Sequence, residues 1–408
     1  MGSTNSRLPW RAAGIGLLLL LLAAGVLYSV MLPATARFSD EREYLLLSHN
    51  LLHGPGYSMD GVQLTASRPP GYAFFISAIE AMGGGIVAIR VVQFALVAAT
   101  IWLVSLFCPE KSRPGSLLVV TGLVALYAVL FYTASTLYPQ TLAAFLFVLM
   151  LVFLLKIARN WASDMATGSI FGLLILVVPT FLFTLVVVLA VAWILKLINW
   201  RSAAVIFAVA AIFVGLWTAR NYVQFHQFVP VASNSGANFL IGNCENTVPT
   251  GGSGNVDRTH YQQEAQRLGL DEFQTDHYYR QTAVTWIEQN PGRALVLYGE
   301  KVLNFFNFYN QYAPENKGEV SFGKQAVMAV TYGLLLALLI WRLLEAGRFP
   351  LTAHEKLFLA VYILSAFTQA IFFTRIRLRL PYDYLVIAIV AAHLSRRLFP
   401  PSVPTKSI

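Results

Sequence analysis

AAGIGLLLLLLAAGVLYSVMLPATARFSDEREYLLLSHN, residues 12–50, joins an uncharged apolar run to a dense patch of carboxylates. Residues 12–33 follow Arg7 and Arg11 and carry no charge. The run exceeds the ~7–15 apolar residues of a secretory signal, although Ala34-Thr35-Ala36 has the small-residue pattern of a cleavage site. It reads as a retained first transmembrane helix within residues 1–33, with the N-terminus in the cytoplasm. Asp40, Glu41 and Glu43 come directly after it, in a chain of which only 12% is charged. Carboxylates clustered at the edge of a bilayer need a structural reason or a chemical one.

The rest of the chain repeats the first half of that pattern. Of its 408 residues 57% are hydrophobic, more than soluble domains carry, so the expected class is an all-α polytopic membrane protein. Further apolar runs lie near 86–107, 116–133, 138–157, 163–178, 179–198, 202–219, 323–344, 354–373 and 380–397, with Pro179 dividing two of them. The loops 108–115, 156–162, 196–201 and 342–356 are basic, as is the tail 398–408 with the adjoining Arg396 and Arg397. The positive-inside rule puts these in the cytoplasm, provided that the short run 71–85, interrupted by Glu80, lies at the interface or re-enters without crossing. About ten crossings result, divided between a bundle at 86–219 and C-terminal helices at 323–397. The net charge of +9 fits anionic headgroups before nucleic acid, because the basic residues flank apolar runs. Cys108 and Cys244 have no metal-ligand spacing.

Two long segments then face outward, 34–85 with interfacial helices and 220–322, which holds ten of the twenty acidic residues. In the second, 257–268 and 271–290 have helical spacing that ends at Asn290-Pro291-Gly292, and 293–310 reads as an amphipathic helix on the outer leaflet.

For the acidic stretch, the structural reading is a capping box. Asp40 with Glu43 three residues later would open a helix over 41–53, and Gly54 would end it. His49 and His53 have the i,i+4 spacing of a metal pair, with no third ligand on that helix face. The chemical reading is an acid held at the outer end of the first membrane helix, in reach of water and headgroups, by an interfacial helix whose Tyr44, Leu47 and Leu51 share a face.

Five stretches in order, SDEREY (39–44), NLLHGPGY (50–57), SRPPGYAFF (67–75), ARNYVQFHQFVPVASNSGANFLIGN (219–243) and RIRLRLPYDYLVIAIVAA (375–392), resemble the GT-C glycosyltransferases that use a polyprenyl-phosphate sugar. Protein O-mannosyltransferases and lipid A aminoarabinose transferases belong to that group. The resemblance implies a GT-C-type bundle and an inverting transfer at the outer face of a bacterial inner membrane, with an acidic pair, Asp40 and Glu41, as the catalytic residues. It also implies a phosphate-contacting base just before Pro-Pro, which here is Arg68. Many members carry a second acid in a Tyr-Pro-Glu context. Here that stretch is Leu137-Tyr138-Pro139-Gln140, so no metal or other cofactor is expected, and Gln140 is left to hydrogen-bond a sugar hydroxyl.

Outward-facing cations run against the bias that orients the helices. They are Arg37, Arg42, Arg68, Arg220, Arg375, Arg377 and Arg379. Acidic partners or headgroups would account for them, and so would a lipid phosphate that becomes the leaving group. Arg68, Arg375, Arg379 and Arg220 are the expected donor-phosphate contacts. Arg375 and Arg379 are chosen over Arg377 because residues 375–379, if helical, share a face at i,i+4. Tyr44, Tyr138, Gln140, Asn234 and Asn238 are the expected sugar or acceptor contacts, although Asn, Ser and Gly in 234–243 equally suit turns. The expected partners are the carrier-linked sugar, a glycan, lipid or protein acceptor, and the bilayer. A polysaccharide polymerase or ligase using a diphosphate carrier would share many of these features. A secondary transporter would place its polar groups at mid-membrane depth.

Overall fold

The computed structural model describes residues 8–249, 256–308, 312 and 322–399. The positions 250–255 and most of the tail 398–408 lie outside the described residues. The chain is all-α: α1 (Leu8–Met31), α2 (Ser39–His53), α3 (Pro70–Ala81), α4 (Ile86–Ser105), α5 (Arg113–Leu126), α6 (Ala128–Ala134), α7 (Gln140–Lys156), α8 (Trp161–Val177) and α9 (Phe181–Ile194) lead to the long α10 (Trp200–Phe225). The segment after α10 adds α11 (Ser235–Gly242), α12 (Thr259–Arg267), α13 (Glu272–Gln289) and α14 (Pro291–Phe305), and the last described helices are α15 (Phe322–Leu344), α16 (Ala353–Ala370) and α17 (Ile376–Leu398). The described residues form no strand, only one antiparallel bridge between Ser58 and Leu64.

Five of these helices, α1, α4, α10, α15 and α17, are long and apolar enough to cross a membrane. Three shorter apolar helices, α7, α8 and α9, accompany them. The run 116–133, expected as one crossing, is broken by an 80° bend where α5 meets α6. The bend falls at Tyr127, whose ψ of 76° leaves the helical region while its hydroxyl reaches the Asp383 carboxylate at 2.8 Å. A buried polar anchor in α17 thus coincides with the break. At 1.5 Å per residue α3 is about 18 Å long, too short to span the ~30 Å apolar layer.

Burial divides the long helices by role. In α1 only 17% of the apolar window is buried, and Leu19 and Leu20 are exposed, as a lipid-facing helix requires. In α17 the figure is 89%; it packs on α4, α5, α7, α15 and α16 at the centre of the bundle. That interior position explains how α17 tolerates Arg379 and Asp383, paired at 3.1 Å. Local signals set the helix starts: Asn160, Asp271 and Thr352 each close a capping box, for α8, α13 and α16.

Two close approaches of main chain fix the placement of α3 and α11. A Cβ on Gly71 would meet the main chain of α8 at Val177, 2.8 Å away, so glycine lets the start of α3 sit against the end of α8. A Cβ on Gly242 would overlap the Phe372 carbonyl, so glycine also brings the end of α11 against the strap leading into α17.

Candidate active site at the starts of α2 and α17

The helix expected over 41–53 runs from Ser39 to His53. Its N-cap is Phe38, with no side-chain cap, and Gly54 ends it by donating to the Asn50 carbonyl. Asp40 therefore sits inside the first turn and is not the capping group. The reach-back to the chain entering the helix comes from Glu41, not Glu43: one Glu41 oxygen accepts the Arg37 N–H at 2.6 Å. The other accepts the Leu137 N–H at 2.9 Å, ahead of α7. Glu41 is fully buried and both its oxygens are taken by main chain. This corrects the expectation of a catalytic pair: Glu41 is a positioning residue that ties the start of α2 to the turn before α7.

Asp40 is different. Its Oδ1 accepts from Arg68 at 2.7 Å and its Oδ2 from Arg377 at 3.1 Å, with the side chain 13% exposed. Burial alone would raise its pKa, but the guanidiniums of Arg377 and Arg68, with Arg375 behind them, outweigh burial and hold it at about 2. Arg68 also donates to Glu43 at 2.5 Å. The Tyr57 hydroxyl fixes the backbone under Arg68 by donating to the carbonyls of Arg68 and Pro69 at 3.0 and 3.1 Å. The Pro69-Pro70 pair stiffens the same turn, and Pro70 opens α3.

The C-terminal arginines fall out differently from the helical-face expectation. Arg375 lies just before α17 in extended conformation (φ −145°, ψ 153°), so the i,i+4 argument does not apply to it. Arg377 is the residue that reaches Asp40, and its guanidinium lies 4.3 Å from the centre of the Tyr138 ring. Arg379, expected at the phosphate, points into the bundle instead. It bonds Asp383, the carbonyls of Phe305 and Asn307 and the Tyr127 hydroxyl, and stacks on Tyr332 at 3.6 Å. Arg379 is a structural residue.

Arg220 is also removed from Asp40. It donates to the Thr65 carbonyl at 3.0 Å and lies over Trp217, Phe225 and Tyr57, pinning the 57–65 segment to the end of α10. Asn234 and Asn238 belong to the start of α11, where the Asn234 carbonyl accepts the Asn238 N–H at 3.1 Å. That bond is main chain only; the Asn234 side chain makes no cap bond to α11.

Tyr44 lies one turn after Asp40 on α2, edge-on to Tyr72 at 5.0 Å, and burial pushes its hydroxyl up to about 12. Tyr138 packs between Phe38 and Tyr312 under Arg377. Gln140 opens α7 two residues later, 5% exposed, and its Oε1 has no hydrogen-bond partner among the described residues. A buried, unsatisfied acceptor is costly and is a natural contact for a ligand hydroxyl.

Two contributions escape the sequence. Arg258, half-buried just before α12, is close enough to Arg68 for the two charges to repel, which adds a cation from the segment between α10 and α15. Lys301 of α14 is buried and donates to the Gly242 and Phe372 carbonyls and to Asn243 Oδ1 at 2.9–3.1 Å, so one ammonium holds the strap that leads to Arg375 and into α17, where Arg377 lies in the first turn. A lysine at helical spacing in an amphipathic segment gives no hint of that inward turn.

No protein-family model matches the chain, and no curated protein matches it. Among solved structures it is similar to ArnT from Cupriavidus metallidurans bound to undecaprenyl phosphate. The identity is 12% over 93% of this chain and 78% of that one, with a TM-score of 0.42. It is also similar to the same protein in the apo state, at 12% identity over 93% and 77% of the two chains, with a TM-score of 0.38.

Proposed function

We propose that the chain is an inverting glycosyltransferase of the GT-C type, moving a sugar from a polyprenyl-phosphate carrier to an acceptor hydroxyl at the outer face of a bacterial inner membrane. The observation that carries this reading is the Asp40 carboxylate held between Arg68 and Arg377 at the start of α2. A carboxylate at about 2 is a weak base, so this arrangement is a resting one. The carrier phosphate is an anion that competes for the same guanidinium forks. As the arginines turn to it, Asp40 loses the charges that depress it and becomes a better base.

The step balances simply. The acceptor oxygen forms its bond to the anomeric carbon while the bond from that carbon to the phosphate oxygen breaks. The acceptor proton passes to Asp40, and the carrier leaves as a phosphate monoester with one more negative charge. Arg68 and Arg377, with Arg375 and Arg258 behind them, stabilise that growing charge. The open acceptor on Gln140, beside Tyr138, suits a sugar hydroxyl. The order of the five family-like stretches supports the donor class.

Mass spectrometry of lipid co-purified with the detergent-extracted protein tests the reading. A polyprenyl monophosphate, lost from an Arg68→Ala/Arg377→Ala double variant, is the expected result. A diphosphate carrier would favour a polymerase or ligase, and no polyprenyl lipid at all, together with no sugar transfer from a short-chain polyprenyl-phosphate donor, would overturn the proposal.

A further inference from the structure

At the far end of α2 a second constellation lies apart from Asp40, about 13 Å along the helix at 1.5 Å per residue. The pair His49 and His53 acquires the third ligand that the helix alone lacks, because α3 packs on α2 and brings Glu80 to them. His49 Nδ1 is 2.9 Å and His53 Nε2 3.9 Å from the same Glu80 oxygen, Oε1. One ligand atom from each of the three residues lies within 4.8 Å of the others. The ligand-to-ligand edges of a tetrahedral zinc site with bonds of ~2.0–2.1 Å are about 3.3 Å, so the three atoms need only small side-chain rotations to share one ion.

We propose that His49, His53 and Glu80 form a surface site for a divalent transition-metal ion of the zinc class, which staples α2 to α3. The second oxygen of Glu80 accepts from Ser48 Oγ at 2.8 Å, and Ser77 of α3 reaches Ser48 Oγ at 3.3 Å. A hydrogen-bonded carboxylate with one oxygen left for the ion is the usual outer support of a metal ligand. An ordinary ion pair would occupy one imidazole, whereas here both rings, 4.8 Å apart, face one carboxylate oxygen. Two imidazoles and one carboxylate select zinc, cobalt, nickel or copper over magnesium and calcium, which take oxygen ligands. The histidine side chains are 61% and 59% exposed, so the ion has free access and a water completes its shell. The staple ties together the far ends of α2 and α3, which run parallel so that their near ends set Asp40 against Arg68, and it contributes no group to that cluster.

Cobalt titration of the full-length protein, purified without a histidine tag and stripped with chelator, reads the site directly. One equivalent of Co2+ should give a visible ligand-field band that Zn2+ abolishes, and Zn2+ should raise the Tm of the stripped protein. His49→Ala, His53→Ala and the near-isosteric Glu80→Gln should each weaken Co2+ binding by at least ~10-fold. Ser48→Ala should weaken it by roughly 10-fold through the loosened carboxylate. Metal-free melts of Glu80→Gln separate a lost ligand from a lost fold. His226→Ala, at the end of α10, should bind as wild type. A protein that gives no band, or a band that survives in the His49→Ala/His53→Ala double variant, overturns the site.

Discussion

Replacing Asp40 by Asn separates its ion-pair role from the catalytic role proposed for it, because each has its own magnitude. A carboxyl drawn from 3.8 to about 2 holds roughly 2 kcal/mol of favourable interaction in its charged form, at 1.36 kcal/mol per unit. Asn keeps the shape and loses that charge, leaving Arg68 with Glu43 and Arg377 with the Tyr138 ring. A stability loss of about 2 kcal/mol is therefore expected at neutral pH, read as a lowered Tm in detergent. The folded-state pKa is depressed, so the wild-type advantage is present above about 3.8 and disappears as pH falls through about 2. The two melting curves should converge in that window. Catalysis is the larger effect. Loss of a general base costs roughly two to four orders of magnitude in turnover, equivalent to ~3–5 kcal/mol. Turnover is measured with a short-chain polyprenyl-phosphate sugar at a temperature where both proteins are folded. If Asp40 only pins the arginines, kcat stays within a few-fold while Tm drops. A wild-type kcat in Asp40→Asn would refute the catalytic assignment, whatever happens to stability.

Arg377→Ala and Arg379→Ala should part company. The first removes a direct partner of Asp40 and should cut kcat/KM by roughly 100-fold or more with modest loss of fold. The second strands the fully buried Asp383 and should cost ~3–5 kcal/mol, read as poor expression and early melting. Arg68→Lys should recover only part of the activity lost in Arg68→Ala, with kcat reduced more than KM, because lysine lacks the fork that spans Asp40 and Glu43. Burial lowers the Lys301 ammonium to about 8 against neutral acceptors only. Between about 8 and the ordinary lysine value the unfolded chain holds the extra proton, so stability should rise with pH across that window and Lys301→Met should flatten the rise. For topology, a cysteine at exposed Gln289 should react with an impermeant thiol reagent from outside and one at exposed Arg201 should not, against a background of buried Cys108 and Cys244. Labelling of both from one side would overturn the orientation.

The apolar runs and their breaks determine the helices, because a segment in lipid must satisfy its backbone internally whatever its neighbours are. Pro179 divides α8 from α9, and Asn290-Pro291-Gly292 divides α13 from α14, at the positions the residues indicate. Asp40 and Arg68 are also legible as charges of interest, since charge at a membrane edge is expensive wherever the chain goes next. The direction of a side chain is another matter. Residues 40 and 41 are adjacent and chemically alike, yet one meets two guanidiniums and the other two main-chain N–H groups. The difference arises from the 100° turn between neighbours on a helix and from what packs on each side. Arg375, Arg377 and Arg379 read as one helical stretch, but the helix begins only after Arg375, and that later start changes which of them faces Asp40. Arg258, Lys301 and Glu80 come from elements distant in sequence, whose meeting with α2, α3 and α17 depends on close approaches such as Gly71 on α8 and Gly242 on Phe372. Local patterning sets the helices because their hydrogen bonds are local. The site is set by contacts between helices, and only the packed bundle decides those.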